Sequence, residues 1–163
     1  MGDVIYLPRQ GSGWLYPAVW LDCCSRKIVG WNLRDIMPED LINEALRRTL
    51  TVHRPPAGLV IHSDQGSQHT ATRFKDLLTR YGTVQNMSRR SDCYDSVHTE
   101  SFWSSFKTEL LDGGNFPGLS EAKLEISHHI VYYNAERRHL ALGYLAPNYF
   151  EIHLRITSRL CPA

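Results

Sequence analysis

The first 33 residues leave a folding chain little choice. Three runs rich in β-branched and aromatic residues, DVIYL (3–7), WLYPAVWLD (14–22) and KIVGWNL (27–33), are separated only by RQGSG and CCSR, connections far too short for a parallel crossover. They predict an antiparallel meander. Pro17 falls inside the middle run, and because proline has no N–H to give a ladder, a bulge or a lost bond is expected there.

After Met37-Pro38 the hydrophobic period changes from two to about 3.6. Glu39 and Asp40 open a helix with Leu41, Ile42, Ala45, Leu46 and Leu50 at core spacing, and it ends near His53, before Pro55-Pro56. GLVIHSD (58–64) reads as a short buried strand, Thr70 or Thr72 starts a helix carrying Phe74, Leu77, Leu78 and Tyr81 to the stop at Gly82, and residues 83–86 form a fifth strand. Strands separated by helices pair in parallel. The expected fold class is therefore α/β: a mixed five-stranded sheet, three strands antiparallel and two parallel, flanked by helices.

A further helix is expected over about residues 97–111, with Asp95 or Ser96 as its cap and Phe102, Phe106 and Leu110 as its buried stripe. At about 100° per residue, Glu100 and Lys107 share the flank of that stripe. Another helix, about 120–134, carries Leu124, Ile126, Ile130 and Val131, and the tail YNAERRHLALGYLAP gathers basic and aromatic residues. A chain of 163 residues with 42% apolar content suits one domain with a real core. No window approaches the 18 apolar residues of a membrane span and no signal-peptide pattern opens the chain, so a cytoplasmic location is expected, with no membrane partner. Cys23, Cys24, Cys93 and Cys161 form no CxxC pair and read as reduced, mostly buried thiols.

The chemistry lies in three acids. Asp64 follows the fourth strand directly, where open α/β sheets gather ligands, Glu100 lies on a helix with 35 residues between the two, and Asp3 sits in the first strand. Three carboxylates on separate rigid elements are the ligand set of a two-cation phosphoryl-transfer site, and such hard oxygen donors select two Mg2+ or Mn2+ ions. Each acid alone also fits a turn or a solvated helix face. A zinc hydrolase built on His62, Asp64, His69 and His98 is the rival enzyme, but HSDQGSQH lacks the i, i+4 histidine pair of a helical zinc site. The balance of 18 Lys+Arg against 17 Asp+Glu is not that of a dedicated DNA binder, although the pairs Arg47-Arg48, Arg89-Arg90 and Arg137-Arg138 concentrate positive charge.

HSDQGSQ, MSRRSDCYDSVHTESFWSSFKTEL and YYNAERRHLALGYLAP resemble the signature blocks of the insertion-sequence transposases whose catalytic core is similar to retroviral integrase. GWLYPAVWLDCCSRKIVGW resembles that family's second and third strands. The resemblance runs from Asp3 to about Glu151 and implies a ribonuclease H-like fold with an Asp-Asp-Glu site at Asp3, Asp64 and Glu100. It further implies hydrolysis of a phosphodiester at an element end, then attack of the freed 3′-hydroxyl on target DNA, in assemblies of two or more copies. Lys107, Arg89, Arg90, Asn134, Arg137, Arg138 and His139 are the expected DNA contacts, with helix capping and packing as the plainer role for the last four. Pro17, Asp92 and His98 depart from the family pattern. The chain starts two residues before Asp3, so a core fragment is expected, residues 1–151, followed by a tail, 152–163. The alternative to an active enzyme is an inactive truncated copy that inhibits by binding DNA or full-length transposase.

Overall fold

A computed structural model of the chain describes residues 1–37, 40–63, 72–87, 97–111 and 114–160. Its centre is an antiparallel ladder of β1 (Gly2–Val4), β2 (Leu7–Pro8), β3 (Trp14–Leu21) and β4 (Ile28–Arg34). β3 lies in the middle, with β1 and β2 on one side and β4 on the other. The register Gly2↔Trp20 to Val4↔Ala18 continues unshifted into Leu7↔Leu15 and Pro8↔Trp14, so β1 and β2 are one strand interrupted opposite Tyr16 and Pro17. The Ile5 N–H still donates to the Pro17 carbonyl at 3.2 Å, but proline has no N–H to return. This is the lost bond expected from the sequence. The irregularity that bends the ladder lies elsewhere, between Trp20 and Leu21 in the pairing with β4.

Alternation along β3 supplies two cores. Leu15, Val19 and Leu21 join Phe102, Phe106, Ile126 and Tyr133 on one face, while Ala18 and Trp20 join Leu46, Leu50, Phe74 and Leu78 on the other. A strand buried on both faces must be a central one. The second face is covered by α1 (Leu41–His53), which approaches β4 so closely that a Cβ at Gly30 would overlap the Thr49 hydroxyl. Trp20 locks the contact by donating its indole N–H to the Ile42 carbonyl at 3.2 Å.

β5 (Val60–Ser63), α2 (Thr72–Arg80) and β6 (Val84–Met87) form the expected strand–helix–strand unit, its strands parallel from Val60↔Val84 to Ser63↔Met87. β5 lies against β1, which brings the parallel pair to the side of the ladder that carries Asp3. α3 (Val97–Phe106) buries Phe102, Trp103 and Phe106, then widens into a π-helical turn over Lys107–Leu111. The helix expected to reach residue 111 therefore changes geometry at Lys107, leaving Leu110 only half-buried.

α4 (Leu119–Ala135) packs on the same face as α3 through Ala122, Ile126, His129, Ile130 and Tyr133. Of the apolar residues that the sequence places on this helix, Leu124 and Val131 are exposed, at 58% and 64%. A 3-10 turn (Leu140–Leu142) leads into α5 (Pro147–Leu160), which runs through residue 151 without a break. Among the described residues no helix is long and apolar enough to cross a membrane. Cys24 is exposed and Cys23 half-buried, so these two thiols are less sheltered than their apolar neighbours suggested.

Candidate active site

Two of the three expected acids belong to elements that touch. The Asp3 carboxylate is fixed at both oxygens: Oδ1 accepts the Val4 N–H at 2.8 Å, and Oδ2 accepts the Trp103 indole N–H at 2.9 Å. Trp103 stands three residues after Glu100, so on α3 it lies one turn further along nearly the same face. One residue before Glu100, the buried Thr99 hydroxyl reaches Sδ of Met1 at 3.9 Å. Contacts to the first strand thus flank Glu100 on either side, while Glu100 itself is exposed. Helix geometry explains the arrangement: Thr99, Phe102, Trp103 and Phe106 follow the i, i+3, i+4, i+7 rule of a buried stripe, and Glu100 sits at its margin.

Asp64, Arg89 and Arg90 lie outside the described residues. The residue before Asp64, Ser63, ends β5 fully buried, and its hydroxyl accepts from Gln85 Nε2 at 3.1 Å. Among the described residues no three His, Cys, Asp or Glu side chains gather to hold a metal ion. The oxygen-only character of Asp3 and Glu100 nevertheless fits a hard divalent cation better than zinc. Lys107 is exposed where the π-helical turn begins, two turns beyond Glu100.

The basic tail has a more constrained geometry than its sequence suggests. Asn134 accepts the Ile28 N–H on Oδ1 and donates Nδ2 to the Ile28 carbonyl, both at 2.9 Å, so its amide stands in for a strand partner at the free edge of β4. Arg137 pairs with Glu109 at 2.8 Å, donates to Ser105 Oγ at 2.8 Å and stacks over Tyr133 at 5.6 Å. Arg138 is exposed. His139 meets the Tyr133 ring edge-on at 4.9 Å, and burial, followed by the charges of Arg137 and Arg26, pushes its pKa below the usual histidine value. Burial likewise pushes the Tyr133 phenol up to about 12, so it stays a neutral hydroxyl. Sequence reasoning passed over Trp103, Ser105 and Arg26. The first was legible as the i+3 neighbour of Glu100; Arg26 has no signal beyond its place in a turn.

The integrase core domain family model matches residues 1–93, and a second model of the same description matches residues 81–147. The chain belongs to the integrase core domain family. Among curated relatives, this integrase core is 39% identical over 152 residues to the transposase for insertion sequence element IS904 of Lactococcus lactis, covering 93% of the chain and 60% of that protein. It is 34% identical over 151 residues to the transposase InsF for insertion sequence IS3A of Escherichia coli, covering 92% and 52%. The integrase core therefore spans between half and two thirds of these relatives. Its fold is that of the HTLV-2 integrase catalytic core domain solved in complex with magnesium, with a TM-score of 0.67 at 16% identity over 91% of this chain and 92% of that one. A simian T-cell lymphotropic virus intasome gives 0.70 at 17% identity, over 85% and 48%. The ribonuclease H-like class expected from the sequence is thus the class observed.

Proposed function

We propose that the chain is the catalytic core of a transposase that cuts and rejoins DNA, with Asp3, Asp64 and Glu100 as ligands of two Mg2+ or Mn2+ ions. The observation that supports it best is the attachment of α3 to the first strand on both sides of Glu100, with the Trp103 N–H 2.9 Å from Asp3 Oδ2. When bound, the divalent ions supply charge neutralisation at phosphorus and a more acidic attacking hydroxyl. The protein's own part is positional. Trp103 and Val4 each bond one Asp3 oxygen, fixing the plane of the carboxylate. Glu100 is exposed, on the side of α3 a DNA strand can approach.

Two reactions use this site in turn. Water attacks the phosphodiester at an element end, forming one P–O bond as another breaks and releasing a 3′-hydroxyl. That hydroxyl then attacks a target phosphodiester, again exchanging one P–O bond for another, so no energy source is consumed. Lys107, Arg89, Arg90 and the basic residues at the end of α4 hold backbone phosphates, and two or more copies assemble because two element ends must meet. The cytoplasm remains the expected compartment.

Strand transfer with pre-cut ends in Mg2+ or Mn2+ tests this reading. Glu100→Gln and Asp64→Asn should each abolish joining with the fold intact, because groups that act as a unit fail together. Near wild-type joining by Glu100→Gln would remove the assignment. Divalent-dependent DNA binding without any joining by the unsubstituted chain would favour the inhibitor reading.

A further inference from the structure

Glu125, His128, His129 and Tyr132 follow one another on α4 at i, i+3, i+4 and i+7, the spacing that on α3 makes a buried apolar stripe. On α4 this stripe is polar and aromatic. It lines a cavity of about 550 Å³, open to solvent, to which the π-helical turn adds Glu109 and Leu110. Among the described residues no lysine or arginine lines it. Glu109 is engaged through Oε1 by Arg137 at 2.8 Å, whereas no ion pair among the described residues reaches the exposed Glu125. The cavity therefore carries an unmatched negative charge.

A second observation is independent of charge. His129 is 7% exposed, and its Nε2 is buried with no hydrogen-bond partner. The ring meets Phe106 edge-on at 5.2 Å and lies 6.1 Å from the Tyr132 ring, and neither contact is a hydrogen bond. Burial holds its pKa below the ordinary histidine value, so the ring is neutral and keeps one nitrogen as an acceptor. Buried polar atoms in native folds are almost always paired, so an orphan in the wall of a cavity calls for a donor from outside. The fold also shows what a tyrosine and a carboxylate accept together. Arg137 lies 5.6 Å over the Tyr133 ring with its guanidinium on Glu109. Tyr132 and Glu125 repeat that pair of groups in the lining of the cavity.

We propose that this cavity is a docking site for a partner protein, which inserts an arginine with its stem along Tyr132 and Leu110 and its guanidinium on Glu125 and the His129 ring. The apolar surface suits the methylene stem, and the carboxylate and the imidazole acceptor lie one helical turn apart at the charged end. A guanidinium has five donors in a rigid plane, enough to serve both acceptors at once, and it is weakly hydrated, so a half-apolar wall suits it better than an ammonium. None of Asp3, Asp64 and Glu100 takes part, so the site stands whether or not the chain acts on DNA.

Nuclear magnetic resonance of the whole chain with isotope-labelled histidine rings tests the site. The probe is the blocked tripeptide acetyl-Gly-Arg-Gly-amide, titrated at about pH 7.5 to about 20 mM because one side chain binds weakly. The His129 ring signal, identified by its loss in His129→Gln, should shift saturably with a Kd of about 1–10 mM. The citrulline tripeptide, uncharged and of the same shape, should bind at least about tenfold more weakly, and the lysine tripeptide about fivefold more weakly. Glu125→Gln, an exposed substitution that should leave the melting temperature unchanged, should weaken the arginine tripeptide about fivefold. A His129 signal that does not move, or equal binding of the arginine and citrulline tripeptides, would overturn the site. Equal binding of the lysine tripeptide would overturn the choice of arginine. Free L-arginine binding more tightly than the blocked tripeptide would make the cavity a metabolite site and overturn the protein partner. Strand transfer has no part in this readout, so failure of the carboxylate reading leaves the docking site standing, and the reverse.

Discussion

Trp103 is the residue on which the candidate site turns. Its ring packs against Phe102 and Phe106 at 4.8 and 5.4 Å, and its N–H holds Asp3, so core and site share one side chain. Trp103→Phe keeps most of the packing and removes the donor to a carboxylate, which should cost about 1–3 kcal/mol of stability. It should also raise the Mg2+ concentration needed for half-maximal strand transfer, since the Asp3 carboxylate then loses the bond that orients Oδ2. Equal Mg2+ titrations for the variant and the unsubstituted chain would count against a positioning role. The three acids stand out only as a set on separate elements, because each alone also fits a turn or a solvated helix face. The place of Trp103 beside Glu100 was legible from the i+3 spacing, but its bond to Asp3 was not, because hydrophobic periodicity registers the ring and is blind to its N–H.

At the scale of elements, the meander and the helices over residues 41–53 and 72–80 followed from period and punctuation. Their apolar residues fall on one face and their ends carry proline or glycine. α4 followed from the sequence, but its inner face is not legible there. Apolar residues occur all round this helix, so the face is decided by what α3 and β4 present to it, and His129 and Tyr133 are buried where Leu124 and Val131 are not. α5 went unrecognised although Pro147 at its first position is a legible start signal. The strongest tie between elements is the Asn134 amide on Ile28. Asn134→Ala leaves both backbone groups of Ile28 unpaired and should cost about 1–3 kcal/mol. Asn134→Asp, which accepts but does not donate, should restore only part of that. Urea denaturation of the two variants checks the order, and equal losses would deny that the two bonds contribute separately.

For the molecule as a whole, acid should act through histidine before it reaches the carboxylates. Burial holds both His129 and His139 below their ordinary pKa, His129 beside Phe106 at 5.2 Å and His139 beside Tyr133. With the folded pKa depressed, the unfolded chain takes up the protons first. Stability should therefore be full above about pH 6.5 and fall as pH drops from there, with a limiting slope on the order of 1.4 kcal/mol per pH unit for each histidine. Melting temperatures between pH 8 and pH 5 should decline less in the His129→Leu, His139→Gln double variant; parallel curves would rule the histidines out. Divalent ions should act in the opposite sense, adding about 2.7 kcal/mol at a hundredfold excess over Kd, and Glu100→Gln should remove most of that gain. A thermal shift that survives Glu100→Gln in full would place the ions elsewhere.

The β3–β4 turn draws its partners from the far end of the chain: Ile28 bonds to Asn134 across 106 residues, and Ser25 to Glu151 across 126. On a ribosome adding about 5–20 residues per second, those partners emerge roughly 5–25 s after the turn itself. A nascent chain thus holds a finished turn long before the helices that enclose it exist.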